Sequence, residues 1–185
     1  ESRVLESRAS SIEDLPAYRW KTPLQRCVQL LKRHRDVMFE ALPDSQPISI
    51  IITTLAARAY QGETGIPEAM DRILSTMDQL VGPKSPRVPN PVNPVEDFAD
   101  KWSTEEGRRL QLEENFHRWL AQAKVDFRKI LSSTAPEFIA EQAQARFRAS
   151  LDVSALQKRI GFGFPNIAPS PKTVPISEPA KPWRR

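Results

Sequence analysis

The chain has 185 residues, enough for one sizeable hydrophobic core and too few for two. Hydrophobic residues make up 39% of it and charged residues 27%, a balance typical of a globular protein, and no apolar run approaches the roughly 20 residues that cross a bilayer. The net charge of +4, from 27 basic and 23 acidic residues, permits a nucleotide or nucleic-acid partner without requiring one.

The single cysteine, Cys27, excludes an internal disulfide, and its apolar neighbours predict a buried structural thiol. With no disulfide framework and no signal peptide, the expected compartment is the reducing cytoplasm. The chain opens on ESRVLESRAS without an initiator methionine, so we expect a fragment or a processed piece of a longer protein.

Residues 1–20 are polar, turn at Leu15-Pro16, and are expected to place aromatic side chains on the core. A helix follows over 22–41, with Thr22 as its N-cap and Pro23 at its first position. One stripe of this helix is apolar and predicted to be buried: Leu24, Cys27, Val28, Leu31 and Met38. The opposite surface carries Arg26, Lys32, Arg33 and Arg35. Such a face suits a polyanion such as a triphosphate, and a merely solvated charged face is the alternative.

Residues 42–47 predict a turn, and residues 48–60 are ambiguous. The β-branched residues of ISIIITT favour a strand, whereas the length, Pro47 before the segment and Gly62 after it favour a helix, which is our interpretation. Residues 66–81 predict an amphipathic helix that ends at Gly82-Pro83.

Five prolines in twelve positions, 83–94, exclude a helix or a central strand and predict an extended, semi-rigid segment. A long helix is then expected, capped by Ser103 or Thr104. Its predicted apolar face consists of Leu112, Phe116, Trp119, Leu120, Ala123, Phe127, Ile130 and Leu131. Helices over 136–147 and 154–160 complete an all-α fold. The tail from Gly161, with six prolines in 25 residues, is expected to be irregular.

No complete catalytic site is visible in the sequence. The two histidines, His34 and His117, are far apart and Cys27 has no second cysteine nearby, so we expect no zinc site. The GFGF sequence at 161–164 follows a helix and predicts a C-cap instead of a phosphate loop. Acidic pairs occur, for example at 105–106 and 113–114, but none has the alternating DxD pattern; capping and solvation explain them.

Three consecutive blocks nevertheless resemble a known family. TPLQRCVQLLKRHRD at 22–36, PISIIITTLAARAYQGE at 47–63 and VPNPVNPVEDFADKW at 88–102 are similar to bacterial CD-NTases. These are the cyclic-oligonucleotide synthases of CBASS anti-phage defence, related to cyclic GMP–AMP synthase and oligoadenylate synthase. The similarity covers roughly 15–135, and the closing KPWRR also resembles the end of such a synthase.

The resemblance implies a two-lobed enzyme with nucleotides bound between the lobes. An N-terminal palm carries a Gly-Ser motif and three carboxylates that hold Mg²⁺, and a helical C-terminal lobe packs against it. This chain matches the helical lobe over 1–160, followed by a proline-rich tail over 161–185. The Gly-Ser motif and the DxD pair are absent and are expected upstream of Glu1, so this chain is predicted to lack the catalytic carboxylates and the metal.

The resemblance also assigns candidate nucleotide-binding residues. Lys32 falls where the family places a lysine that reaches the donor triphosphate, and Ser49 falls where a small polar residue contacts the same phosphates. That position would be the first turn of a helix, where free N–H groups favour anions. Arg35, like Arg26 and Arg33, is a weaker candidate, and one of them is expected to pair with Asp36 instead.

In the proline-rich block, the resemblance and the residue types indicate structural roles. Asn90 and Asn93 are expected to fix the path of the segment through side-chain-to-backbone hydrogen bonds. Asp97 and Trp102 are expected to anchor the following helix.

The implied function is synthesis of a cyclic di- or trinucleotide second messenger from NTPs, with this lobe gripping the donor triphosphate. The expected partners are NTPs, the N-terminal lobe and, at the tail, a regulatory protein; neither a membrane nor a nucleic acid is favoured. The alternative is a stand-alone helical binding or adaptor module without catalysis, for a protein or a nucleic acid.

Overall fold

The structure, a computed structural model, describes residues 21–161, and the regular secondary structure in that range is helical. Within that range there are seven α-helices: α1 (Pro23–Met38), α2 (Ser49–Ala59), α3 (Ile66–Thr76), α4 (Glu105–Arg109), α5 (Leu112–Ser132), α6 (Pro136–Phe147) and α7 (Val153–Gly161). Short 3₁₀ turns lie at Pro43–Ser45, Met77–Leu80 and Asp100–Ser103. The predicted all-α class is confirmed for these residues. The predicted lead-in 1–20 and the tail beyond Gly161 lie outside the described range.

Helix α1 is central, because it packs against α2, α3, α5 and α6. It begins as predicted: the Thr22 hydroxyl accepts a hydrogen bond from the Gln25 N–H at 3.2 Å, and the Gln25 side chain accepts one from the Thr22 N–H at 3.0 Å. This reciprocal pair satisfies two otherwise free donors at the helix start. Of the predicted stripe, Cys27, Val28 and Leu31 are buried, and the two end residues are half-buried.

Residues 49–59 form a helix in spite of their β-branched residues, as we interpreted the segment. The reason is burial on more than one side: Ile51, Ile52, Leu55 and Ala56 are all fully enclosed between α1 and α3. Burial of that much apolar surface outweighs the small intrinsic preference of isoleucine and threonine for strands.

The thiol of Cys27 is buried, which confirms its predicted structural role. Its Sγ lies 3.7 Å from the carbonyl oxygen of Ile66, the first residue of α3. Burial, together with the negative charge of Glu63, raises the pKa of Cys27 to about 11. The thiol therefore stays protonated and behaves as a small core side chain.

The proline-rich segment forms neither helix nor strand, as predicted, but it is a succession of bends that doubles back on itself and not the extended run that we expected. The Asn90 N–H donates to the Glu96 carbonyl at 2.9 Å, and the Asn90 side-chain oxygen accepts from the Val92 N–H at 2.9 Å. The predicted side-chain role of Asn90 is thus confirmed, whereas Asn93 takes part through its backbone carbonyl, which accepts from the Glu96 N–H.

Asp97 joins the end of this segment to its beginning. Its carboxylate accepts hydrogen bonds from the backbone N–H groups of Arg87, Val88 and Ala99 at 2.8–2.9 Å and from the Ser85 hydroxyl at 3.1 Å. Trp102, also predicted as an anchor, is buried. Its ring packs on Phe116 of α5 with centroids 5.4 Å apart, and the Arg87 guanidinium lies 5.1 Å from its centroid. The predicted anchoring role is confirmed for Trp102, whereas the side-chain hydrogen bonds of Asp97 stay within residues 85–99 and do not reach α4 or α5.

The predicted single helix from 103 to 131 is wrong, because the structure divides it into α4 and α5. Thr104 caps α4, as predicted, by accepting from the Gly107 N–H at 3.0 Å. The chain then breaks at Gln111, which has a left-handed backbone with φ 54°. The Asn115 side chain stabilises the break by donating to the carbonyls of Leu110 and Ser45, both at 3.0 Å. Since Ser45 is 70 residues away, this stop signal is tertiary and not local.

Helices α6 and α7 agree with the prediction within one residue. Helix α1, however, ends at Met38, before the predicted Ala41, and α3 ends at Thr76, with a 3₁₀ turn over Met77–Leu80 where we expected the helix to continue. Helix α6 spans the predicted 136–147, and α7 begins one residue early and ends one residue late. The apolar face of α5 is buried apart from its end: Leu131, predicted to be buried, is 42% exposed. Gly161 closes α7, and the rest of the predicted cap at 162–164 lies outside the described residues.

Candidate functional site

Lys32 lies in an open groove between α1 and α2. The groove has a volume of about 460 Å³ and is lined by Lys21, Leu24, Gln25, Val28, Gln29, Lys32, Thr53 and Ala57. Two ammonium groups therefore border one cavity whose floor is apolar. Lys21 is exposed and its Nζ donates to the Gln29 side chain at 3.1 Å. The sequence analysis missed Lys21 and Thr53, although Thr53 follows Ser49 by four residues and so shares its helix face.

Ser49 is the first residue of α2, as predicted. The preceding residue, Ile48, has an extended backbone and a side chain that cannot accept a hydrogen bond, and the first turn of α2 contains no acidic residue. The N–H groups of this turn are thus left without a side-chain cap, and they carry the positive end of the helix dipole. The hydroxyl of Thr53, which lines the groove, donates to the Ser49 carbonyl at 2.8 Å, so the groove reaches to within one turn of the helix start.

Arg35 does not belong to an exposed cationic face, and that part of the prediction is wrong. The residue is only 7% exposed, and its side chain is turned toward the loop before α2. Nη1 donates to the Pro47 carbonyl and to the Ser49 hydroxyl oxygen, each at 2.9 Å, and Nε donates to the Asp36 carboxylate at 2.9 Å. The physical reason for burial is that these acceptors replace the water that the guanidinium loses. The predicted pairing of one arginine with Asp36 is confirmed.

The other two candidate arginines, Arg33 and Arg26, do not line the groove that contains Lys32. Arg33 donates from Nε to the carbonyl of Phe147, the last residue of α6, at 2.8 Å, and so joins α1 to α6. Arg26 is exposed. The cationic surface predicted from helical spacing is therefore not one patch: the structure brings Lys32 together with Lys21 and Thr53.

A buried polar cluster on the other side of α1 was not found from the sequence. His34 and Asp126 are 2% and 1% exposed, and His34 Nε2 lies 3.0 Å from Asp126 Oδ2. The same carboxylate oxygen lies 3.3 Å from Arg146 Nε, and its partner oxygen accepts from Gln122. Burial lowers the pKa of His34; the carboxylate opposes this and the Arg146 charge adds to it. The available signal was Asp126 itself, a charge inside the apolar face of α5.

Two acidic pairs stand at helix starts, in agreement with the expected capping role, although Glu113 also forms an ion pair with Arg87 that we did not predict. Glu105 and Glu106 stand in the first turn of α4, and Glu113 and Glu114 stand in the first turn of α5, where a negative charge complements the helix dipole. Within residues 21–161, no three His, Cys, Asp or Glu side chains lie close enough to hold a metal ion together. No described helix is both long and apolar enough to cross a membrane.

Comparison with known proteins finds a partial match to a named relative. Over 93 residues the chain is 43% identical to a protein named c-di-GMP synthase from Roseivirga ehrenbergii. The match covers 48% of this chain and 25% of that protein, so the chain spans about a quarter of the relative's length. The resemblance seen in the sequence, to a CD-NTase-like cyclic dinucleotide synthase, is thereby confirmed, and the partial coverage fits one lobe of such a protein. No protein-family model matches the chain.

Proposed function

We propose that the chain is the helical C-terminal lobe, over 1–160, of a nucleotidyltransferase that makes cyclic di- or trinucleotides from NTPs, and that it grips the donor triphosphate. The observation that carries the proposal is the place of Lys32: it borders an open groove that ends within one turn of the uncapped start of α2. An ammonium group at the groove and free helix N–H groups one turn beyond its end are together complementary to a polyphosphate.

In this proposal the direct contacts come from Lys32, the Ser49 hydroxyl and the first N–H groups of α2. Lys21 supplies a second ammonium group at the groove, while Gln25 is held by its capping bonds and shapes the wall. The apolar stretch of Leu24 and Val28 beside these cations offers a surface for the uncharged part of a nucleotide. The groove thus offers both cationic groups and an apolar surface, the two features that a nucleotide requires.

The reaction of the intact enzyme would be attack of a ribose hydroxyl on an α-phosphate with release of pyrophosphate. The described residues offer no cluster of carboxylates that fits Mg²⁺. The proposal therefore assigns the metal and its carboxylates to an N-terminal lobe of a longer protein, and assigns this chain substrate binding alone. The product would act as a second messenger in the cytoplasm during anti-phage defence.

The proposal extends to regulation through the tail. A regulatory protein partner would engage residues 161–185, as the resemblance implies. Deletion of 161–185 should then abolish binding of that partner and leave triphosphate binding intact, which pull-down and calorimetry with the truncated chain would measure separately.

The proposal is tested by isothermal titration calorimetry of the chain with GTP and with inorganic tripolyphosphate. We expect Lys32→Ala to weaken binding of both ligands by about tenfold or more, since it removes a hydrogen bond to a charged group. The matched control is Lys158→Ala, which removes the same charge from an exposed position on α7 that does not line the groove. It should leave both affinities within about twofold, as expected for a remote surface charge.

Two results would contradict the proposal. One is an unaltered chain that binds neither GTP nor tripolyphosphate. The other is an equal loss of affinity in the two lysine variants, which would show a diffuse charge effect and no defined site.

A further inference from the structure

Arg35 connects the helix that carries Lys32 to the residue that begins the next helix. One nitrogen, Nη1, donates both to the Pro47 carbonyl and to the Ser49 hydroxyl oxygen at 2.9 Å. On the other side of the guanidinium, Nε and Nη2 donate to one oxygen of Asp36. The planar group is therefore held from two sides and has no rotational freedom left to follow a ligand.

The donors and acceptors of a hydroxyl group determine how Ser49 takes part in the contact with Arg35. A serine hydroxyl has one hydrogen to donate and two lone pairs to accept with, and an arginine can only donate. Because Arg35 donates to Ser49 Oγ, the oxygen is the acceptor there, and its own hydrogen must point to another group. Ser49 is only half-buried, so a group from solvent can reach that hydrogen. A phosphate oxygen, which only accepts, is the matching partner.

The positive charge of Arg35 also favours an anion at the start of α2. Arg35 is buried, so its positive charge acts through a poorly screened medium, while the carboxylate that balances it, Asp36, is 45% exposed to solvent. The positive charge therefore adds to the attraction that the start of α2 exerts on an anion, without a direct contact between guanidinium and ligand.

We propose that Arg35 is a positioning residue for the triphosphate, orienting the Ser49 hydroxyl as a donor and linking it rigidly to Lys32, one turn earlier on α1. This inference rests on the proposed triphosphate site. It replaces the expected direct contact of Arg35 with phosphate by an action through Ser49.

The test is a double-mutant cycle on the full 185-residue chain, titrated calorimetrically with inorganic tripolyphosphate. The variants are S49A, R35K and the combination of the two. Lysine keeps the charge at position 35 but cannot donate along the same two directions. We expect S49A to weaken binding by about tenfold, the loss of one hydrogen bond to a charged group. We expect R35K to weaken it by about fivefold with Ser49 present and by less than about twofold in the S49A background.

Thermal unfolding of the four proteins is the readout that a purely structural role would move. R35K should lower the unfolding midpoint in both backgrounds. The decrease should differ between them only by the contribution of the Arg35–Ser49 hydrogen bond, which S49A has already removed. If R35K lowers the affinity by equal factors in both backgrounds, or if R35K cannot fold, Arg35 is a structural residue and the inference is overturned. If K32A and S49A both leave the affinity unchanged, the triphosphate site itself fails, which is a different result.

Discussion

The carboxylate of Asp97 offers the most quantitative test of the fold that presents the site. Asp97 accepts four hydrogen bonds, two on each oxygen: Oδ1 from the N–H groups of Val88 and Ala99, and Oδ2 from the Arg87 N–H and the Ser85 hydroxyl. In Asp97→Asn, the NH₂ group fits best at the Oδ2 position, where the Ser85 hydroxyl can turn and accept from it. The bond from the Arg87 N–H is then lost, and the bonds that remain lose the charge of the carboxylate.

Each hydrogen bond to a charged group contributes about 1.5–3 kcal/mol, and the half-exposed position of Asp97 calls for the lower end of that range. The loss of one bond, together with the weakening of the other three from charged to neutral, therefore destabilises the fold by about 3 kcal/mol. For a chain of this size, 1 kcal/mol lowers the unfolding midpoint by about 2–4 °C, so we expect a decrease of about 6–12 °C. Thermal unfolding followed by far-UV circular dichroism measures it.

The dependence of stability on pH provides a second measurement of the role of Asp97. Burial favours the neutral acid, but the backbone N–H groups of Arg87, Val88 and Ala99 outweigh it and lower the pKa of Asp97 below the ordinary 3.8. The unfolded chain then binds the proton more readily than the folded chain. The stabilisation by the Asp97 carboxylate is present above about pH 3.8 and is lost as the pH falls through the lower pKa that Asp97 has in the folded chain. The stability of Asp97→Asn should not show this dependence on pH.

The matched control is Asp71→Asn, the same chemical change at an exposed position on α3. It should leave the unfolding midpoint within about 2 °C, as is usual for surface substitutions. If Asp97→Asn unfolds within the same range as this control, the carboxylate does not hold the proline-rich segment, and the argument from hydrogen-bond count is refuted.

Three further outcomes are expected. The Cys27 thiol should resist a thiol reagent at pH 8 in the native chain and react fully in denaturant, because burial raises its pKa; fast native labelling would contradict its burial. Gln111→Gly should stabilise the chain by about 0.5–1 kcal/mol, because glycine adopts the left-handed backbone at this position without strain. The control Ala121→Gly, inside α5, should destabilise the chain by about 1 kcal/mol. Chemical denaturation measures both, and equal effects would refute the backbone strain at Gln111. Stability should fall as the pH drops below about 6.5, because burial lowers the pKa of His34 and the unfolded chain takes up the proton first; a His34→Gln variant with the same pH slope would exclude this cause.

Local signals were sufficient for most of the helices. Thr22 with Pro23, Thr104 before two glutamates and Pro136 each mark a helix start through bonds or dihedral angles that involve only neighbouring residues, and the structure places a helix at each of them. The buried stripe of α1 followed from 3.6-residue spacing for the same reason: periodicity is a property of the local backbone. The candidate pair Lys32 and Ser49 came from resemblance and stays a prediction.

Tertiary contacts decided what local signals could not. The break at Gln111 depends on a carbonyl of Ser45, and the role of Arg35 depends on Pro47 and Ser49, which helical spacing cannot place beside it. The His34–Asp126 pair joins residues 92 positions apart. A polar or charged side chain can be buried only where distant groups satisfy it, so whether a cation faces solvent or the interior is a property of the packed chain and not of its own helix.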